Sequence, residues 1–295
     1  MPTAEQYEDL ETLVDILADH LVIRRIALVL GAGVSIDFGL LSWNDLLWRL
    51  YASVGQTPPN DDVYRQAEHF KREHCGSDSH RFMELVREAL YSSLDISAAN
   101  LTANPLLSAL GALVMSSLRG SATDVVTFNF DDLVETYLEY HGFVTASVAE
   151  QRHWAPHADV TVYHPHGLLP HRAGVDFSED IVFDQKSYSK LNAEGSGPWR
   201  QRILVILRHH FPLFIGLSGR DANLDMLLIE AQRTHIAYAE SDPFWGACFC
   251  LSGDRYTAGF WRERGIVPIF VTSHSEIPGI LFRVCQAAAT KRRNA

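Results

Sequence analysis

Residues 25–50 read RIALVLGAGVSIDFGLLSWNDLLWRL. Ile26 to Leu30 is an unbroken apolar run of strand length, the pattern of a strand covered on both faces in a parallel sheet. Gly31-Ala32-Gly33 ends the run, and a helical period resumes only around Asn44 to Tyr51. Two glycines directly after such a strand permit a sharp turn. They also let backbone N–H groups approach an anion with no Cβ in the way, as when a parallel sheet holds a diphosphate. The same residues also suit an ordinary tight turn of any α/β protein. The third glycine of the dinucleotide fingerprint G-x-G-x-x-G is replaced by Ile36, and Gly39 comes three residues late, so a nicotinamide dehydrogenase is a poor match.

Outward from this stretch, strands and helices alternate. Leu10, Leu13, Val14, Leu17 and Leu21 share one helical face, and residues 1–20 carry six acids and no Lys or Arg, so 1–22 reads as an acidic amphipathic helix. Such a helix packs across the domain with its acids in water, or forms a subunit contact. Ser42 and Asn44 are N-cap types for a helix to Tyr51, and Val54 to Asn60 is a loop. Helices are expected over Asp62–Glu73 and Ser79–Leu94, and from Asn104-Pro105 to about Leu118. Residues 50–120 therefore read as a helical insertion without strands. Further strands are expected at Asp124–Phe130, Asp159–Tyr163, Phe211–Leu217, Phe244–Leu251 and Ile266–Val271, with helices at Ile203–His210 and Ala222–Arg233. The fold class is α/β: a Rossmann-like, doubly wound, mostly parallel sheet with a helical insertion, in one domain spanning 1–295. Ligands of such sheets gather beyond the carboxyl ends of the strands.

Bulk properties narrow the function. Charged residues make up 21% and hydrophobic ones 47% of the 295, which is ordinary for a globular chain. A formal charge of −11 disfavours a general nucleic-acid surface, which needs clustered cations. Lys291, Arg292 and Arg293 read as a solvated tail after a helix. The start lacks a basic n-region with an apolar core, and no apolar run approaches the roughly 20 residues that span a bilayer. Cys75, Cys248, Cys250 and Cys285 include no C-x-x-C pair, so a cytoplasmic, reduced protein is expected.

Four expected strand ends carry chemistry-bearing residues: Gly31 to Ser35, Thr127 to Asp131, His166-Gly167, and Gly216-Leu217-Ser218 with Asp221. Asn129, between two phenylalanines, has an amide able to fix a water and a ribose hydroxyl at once, or to stabilise a turn. His166 could accept a ribose proton near neutral pH, or be structural. Asp131, Ser218 and Asp221 also suit turns and helix caps.

In this order the segments resemble the SIR2 family, and more narrowly its bacterial SIR2-like branch of anti-phage defence. The resemblance rests on GAGVS followed by Gly39-Leu40 and Trp43, on TFNFDDLVE, on His166-Gly167 and on GLSGRDANL, spread from about residue 26 to 228. It implies that Gly31, Ala32, Gly33 and Ser35 border the diphosphate and ribose of NAD. Asn129 and Asp131 would lie near the nicotinamide ribose, His166 would be the catalytic histidine, and Gly216, Ser218 and Asp221 would bind the cofactor on its adenosine side. Deacylating sirtuins have a Cys₄ zinc module, which these cysteines do not supply, and an Asp-Phe-Arg run where this chain has Leu41-Ser42-Trp43-Asn44. Both differences favour NAD cleavage by water, giving ADP-ribose and nicotinamide. The alternatives are an NAD-dependent protein deacylase and a non-catalytic module binding NAD or ADP-ribose. The resemblance also implies a resting state released by self-assembly or by a partner such as a HerA-type ATPase, an Argonaute or a phage protein. No metal is expected: His153 and His157 would need a helix that Pro156 opposes, so a solvated His-rich loop with one catalytic member is the reading of residues 153–171.

Overall fold

The computed structural model describes residues 7, 9–115, 122–149, 157–172, 174, 181–184, 186, 187, 189, 198–238 and 244–293. Among them, seven strands form one sheet: β1 (Ile26–Leu30), β2 (Asp124–Thr127), β3 (Thr145–Val148), β4 (Val160–Tyr163), β5 (Phe211–Ile215), β6 (Gly246–Leu251) and β7 (Ile266–Val271). They lie in the order β3-β4-β2-β1-β5-β6-β7, and every described pairing is parallel. The chain starts in the middle, builds outward through β2, β4 and β3, then crosses to the other side of β1 for β5. That reversal puts a crevice between the ends of β1 and β5, where open parallel sheets take their ligands.

β1 and β5 are buried at every position. Ile26, Leu28 and Leu30 enter one apolar cluster and Ala27 and Val29 the other, because successive side chains leave opposite faces of a strand. The first cluster takes in α1 (Leu10–Val22), α2 (Ala32–Phe38), α3 (Trp43–Ser53), α4 (Val63–His74), α5 (Ser79–Tyr91), α6 (Ala98–Ala103), α7 (Pro105–Met115) and α8 (Leu133–Tyr140). The second is built from α9 (Pro198–His209), α10 (Ala222–Tyr238) and α11 (Arg255–Glu263), while α12 (Ile277–Arg293) returns to the first. Helix starts follow their caps. Asp62 accepts from Tyr64 N and Arg65 N, and Asn104 Oδ1 accepts from Leu107 N at 2.8 Å, just ahead of Pro105.

Three expectations need correction. The glycine turn runs straight into α2, well before Asn44, and this helix of about two turns stops at Gly39 in the left-handed region (φ 111°). It is too short to show a period. Strand β3, a short edge strand with alternating burial, was not expected from its sequence. The basic end is not a solvated tail: Lys291 lies in α12, 2.7 Å from Asp19 and 3.6 Å from Asp15, and Arg283 pairs with Glu11. The acidic face of α1 is thus partly answered by α12, in exposed pairs of small energetic weight.

The β1–α2 turn and the β5 loop touch backbone to backbone. Gly31 N and Gly33 N each donate at 3.0 Å, to Ile215 O and Gly216 O. A Cβ on Gly33 would sit 2.7 Å from Gly216 Cα, and one on Gly216, whose φ is 72°, would sit 2.7 Å from Val34 N. Gly33→Ala should therefore lower the urea-unfolding free energy by about 1–3 kcal/mol through overpacking. Gly259→Ala, in α11 with open space around its Cβ position, should be neutral or stabilising by about 0.5–1 kcal/mol. Equal effects at the two positions would contradict the close approach.

Candidate active site

The carboxyl ends of β1, β2, β4 and β5 meet around a cavity of about 260 Å³. Gly31, Ala32, Ser35, Asn129, Asp131, His166, Gly216, Ser218 and Asp221 all line it; of the residues given a catalytic or cofactor-binding role from sequence, only Gly33 does not. An apolar wall of Leu40, Trp43, Tyr64, Phe128 and Phe130 faces these polar groups. Trp43 stacks on Phe183 at 4.8 Å.

Asn129 follows β2, and nearly all of its hydrogen-bonding capacity is directed inward. Its backbone N donates to Thr127 Oγ1 at 3.2 Å, and its backbone O accepts from His164 Nδ1 at 3.1 Å. Nδ2 donates to Gly31 O at 3.0 Å and to Ser35 Oγ at 2.8 Å. Gly31 O can only accept, so the amide orientation is fixed. Both donors are therefore occupied, and Asn129 offers the cavity its Oδ1 alone rather than donor and acceptor together. Ser35 Oγ passes the chain on to Asp131 Oδ2 at 2.5 Å, and Asp131 Oδ1 accepts from Leu133 N at the start of α8. Burial pushes the Asp131 carboxyl up to about 6, against the Ser35 and Leu133 bonds that hold it down.

His166 sits in a turn closed by Gly167 N donating to His164 O at 3.0 Å, with Gly167 at φ 89°. Its ring is 5% exposed, stands edge-on to Phe128 at 5.1 Å and is hydrogen-bonded to the Phe128 backbone. Burial lowers its proton affinity below that of an ordinary imidazole, opposed by Asp221. Its environment therefore favours the neutral ring, the form able to accept a proton. Asp221 serves twice. Oδ1 caps α10 by accepting from Leu224 N at 2.8 Å, and Oδ2 lies 3.6 Å from His166 Nε2. It is thus the carboxylate beside the imidazole.

Beyond the Gly33–Gly216 contact lies a second cavity of about 270 Å³, lined by Gly33, Asp37, Asp254, Thr257 and His274 among others. Gly216, Leu217, Ser218 and Arg220 line both cavities. Arg220 is the one Lys or Arg among the described residues lining either, and sequence reading passed it over as part of GLSGRDANL.

The histidines do not form a solvated loop. His164 is fully buried and its Nε2 is 2.6 Å from Glu135 Oε1, while His171 Nδ1 is 2.8 Å from Asp132 Oδ2. His157 is exposed, and His153 lies outside the described residues. Among the described residues no group of three or more His, Cys, Asp or Glu is placed to hold a metal ion. The insertion reaches the same loop: Tyr91 OH donates to Leu169 O at 2.8 Å and Arg87 Nε to Pro170 O at 3.1 Å.

Because folding raises the Asp131 proton affinity, the native state holds more protons than the unfolded chain between about pH 4 and 6, and this residue's contribution falls as pH rises through that window. Measured by urea unfolding, Asp131→Asn should gain up to about 3 kcal/mol relative to wild type between pH 4 and pH 7.5. A gap independent of pH would contradict the burial of a titrating carboxyl.

Residues 123–269 match the family described as a SIR2-like domain, a stretch that holds Asn129, Asp131, His166, Ser218 and Asp221 and leaves the glycine turn outside. No curated protein matches the chain. A solved structure reported under "Structural Basis for the Mechanism and Regulation of Sir2 Enzymes" is similar at 15% identity and a TM-score of 0.47, covering 95% of this chain and 98% of that one. Residues 123–269, which carry these site candidates, are thus similar to a SIR2-like domain over just under half of the chain.

Proposed function

We propose that the chain is an NAD+ hydrolase releasing ADP-ribose and nicotinamide. The observation that carries this reading is that Asn129 Oδ1 and a neutral His166 belong to one apolar-walled cavity at the β1–β5 crevice. The second cavity gives an elongated dinucleotide room to continue past Gly216, with Arg220 between the two as a cation for its diphosphate. Gly31 N and Gly33 N donate to the β5 loop, so this reading gives the diphosphate to Arg220 rather than to these amides.

In this mechanism the bond between nicotinamide nitrogen and ribose C1′ breaks heterolytically. Its electron pair neutralises the pyridinium, which leaves as nicotinamide, and the sugar becomes oxocarbenium-like. Asn129 Oδ1 accepts a hydrogen bond from a water and aims its oxygen at C1′. The C1′–O bond forms as the water's proton passes to His166, directly or through a ribose hydroxyl, and then to solvent. Aromatic and aliphatic side chains keep bulk water away from the reacting carbon, which strengthens each polar contact.

Water as acceptor is favoured over acyl-lysine. The four cysteines are free thiols placed after α4, on β6 and on α12, and Leu41-Ser42-Trp43-Asn44 follows the glycine turn. The resemblance to the defence branch supports an effector that stays silent until it assembles or meets an activating protein.

NAD consumption, followed over a wide range of protein concentration with and without an acyl-lysine peptide, tests this. Nicotinamide release independent of peptide, rising faster than linearly with protein, is expected; strict dependence on the peptide would make the chain a deacylase. Asn129→Ala and His166→Ala should each lower kcat by about 10²–10⁴-fold. Arg220→Ala should act on KM instead, raising it about tenfold or more. The acidic limb of kcat/KM should lie on the acid side of an ordinary imidazole's range, because burial lowers the proton affinity of His166. NAD binding with no turnover, even after assembly with an activating protein, would sink the proposal.

A further inference from the structure

His164 and Glu135 take no part in the reaction just described, yet they are among the most deeply buried polar groups near the cavity, 0% and 3% exposed. Their contacts are specific. His164 Nε2 is 2.6 Å from Glu135 Oε1, which also accepts from Ser147 Oγ of β3 at 2.9 Å. His164 Nδ1 is 3.1 Å from the backbone O of Asn129. A backbone carbonyl can only accept, so Nδ1 carries a proton. Through its own backbone O, the same residue closes the turn that presents His166. One side chain thus grips Asn129 while its main chain shapes the His166 turn.

A buried imidazole–carboxylate pair is a poor device for stability, because desolvation offsets the attraction. Here Glu135 Oε2 lacks a hydrogen-bond partner among the described residues, so the pair is incompletely satisfied. Its geometric effect is definite: it supplies the fourth of the bonds that fix Asn129, after Thr127, Gly31 and Ser35, and leaves Oδ1 as the amide's single outward group.

We propose that His164 and Glu135 are positioning residues: the Glu135-anchored imidazole clamps the Asn129 backbone so that Oδ1 holds its place in the cavity while the same residue sets the turn of His166. The inference rests on the hydrolase reading for what Asn129 does, but the clamp itself can be observed without turnover.

The experiment compares His164→Phe, Glu135→Leu and the double variant His164→Phe/Glu135→Leu. Each single variant strands a buried polar partner and should lower both Tm and kcat. The double variant replaces the pair by apolar groups of similar size, so Tm should return to within a few degrees of wild type. Its kcat for NAD cleavage should stay depressed by about 100-fold, the order of loss for an ångström of misplacement, with KM within about twofold. Recovery of kcat along with Tm would reduce the pair to a structural role and overturn the proposal. Should the double variant not fold, the wild-type chain still decides: ¹⁵N NMR of the His164 ring at pH 7 should show Nδ1 protonated, and a bare Nδ1 would overturn the clamp. A wild type that cleaves no NAD even when assembled with an activating protein would fell the hydrolase reading and leave the ring-nitrogen result to judge the clamp alone.

Discussion

The approach of Gly33 to Gly216 is the constraint on which the site is built. Two parallel strands of a twisted sheet diverge beyond their last ladder bond unless something holds their loops together. Here Gly31 N and Gly33 N continue the pairing past the end of β1 and β5, and the missing side chains let the backbones meet. The contact starts α2 at the correct height for Ser35 to receive the Asn129 amide. It also divides the crevice into two compartments that share one wall, the segment from Gly216 to Arg220.

Electrostatics follow from burial more than from charge count. Around the cavity, desolvation works against ionisation at both Asp131 and His166, favouring the neutral carboxyl and the neutral imidazole. His164 is the counterexample. Burial alone would strip its proton, yet Glu135 and the Asn129 carbonyl together hold its proton affinity above that of an ordinary imidazole. Two histidines separated by one proline thus have opposite protonation preferences: the ring whose proton affinity is lowered lines the cavity, and the one whose affinity is raised lies behind it.

The parts of the fold that could be read from sequence are those where local pattern and tertiary environment agree. β1, β5 and β7 are apolar runs because both of their faces are covered, and Asp62 and Asn104 announce their helices by side-chain capping. β3 hid because an edge strand of four residues, Thr145 to Val148, carries too little alternation to stand out. α2 hid because glycines at either end conceal its seven residues. The residues lining the cavity were visible as oddities at strand ends. Those behind it were not: Glu135 sits in an ordinary-looking helix, and Ser147, Glu135 and His164 become neighbours only when β3, α8 and β4 come together. The roles of the glycine amides and of the Asn129 amide were likewise invisible, since each depends on a partner from another part of the chain.

The helices between β1 and β2 look like an appendage in sequence, yet α5 holds the loop after His166 by two main-chain oxygens, through Tyr91 and Arg87. Main-chain oxygens cannot be removed by substitution at the loop, so this attachment is insensitive to drift in the loop's side chains. Both oxygens, of Leu169 and Pro170, lie three and four residues past His166, so α5 is tied to the main chain of the segment that carries the imidazole.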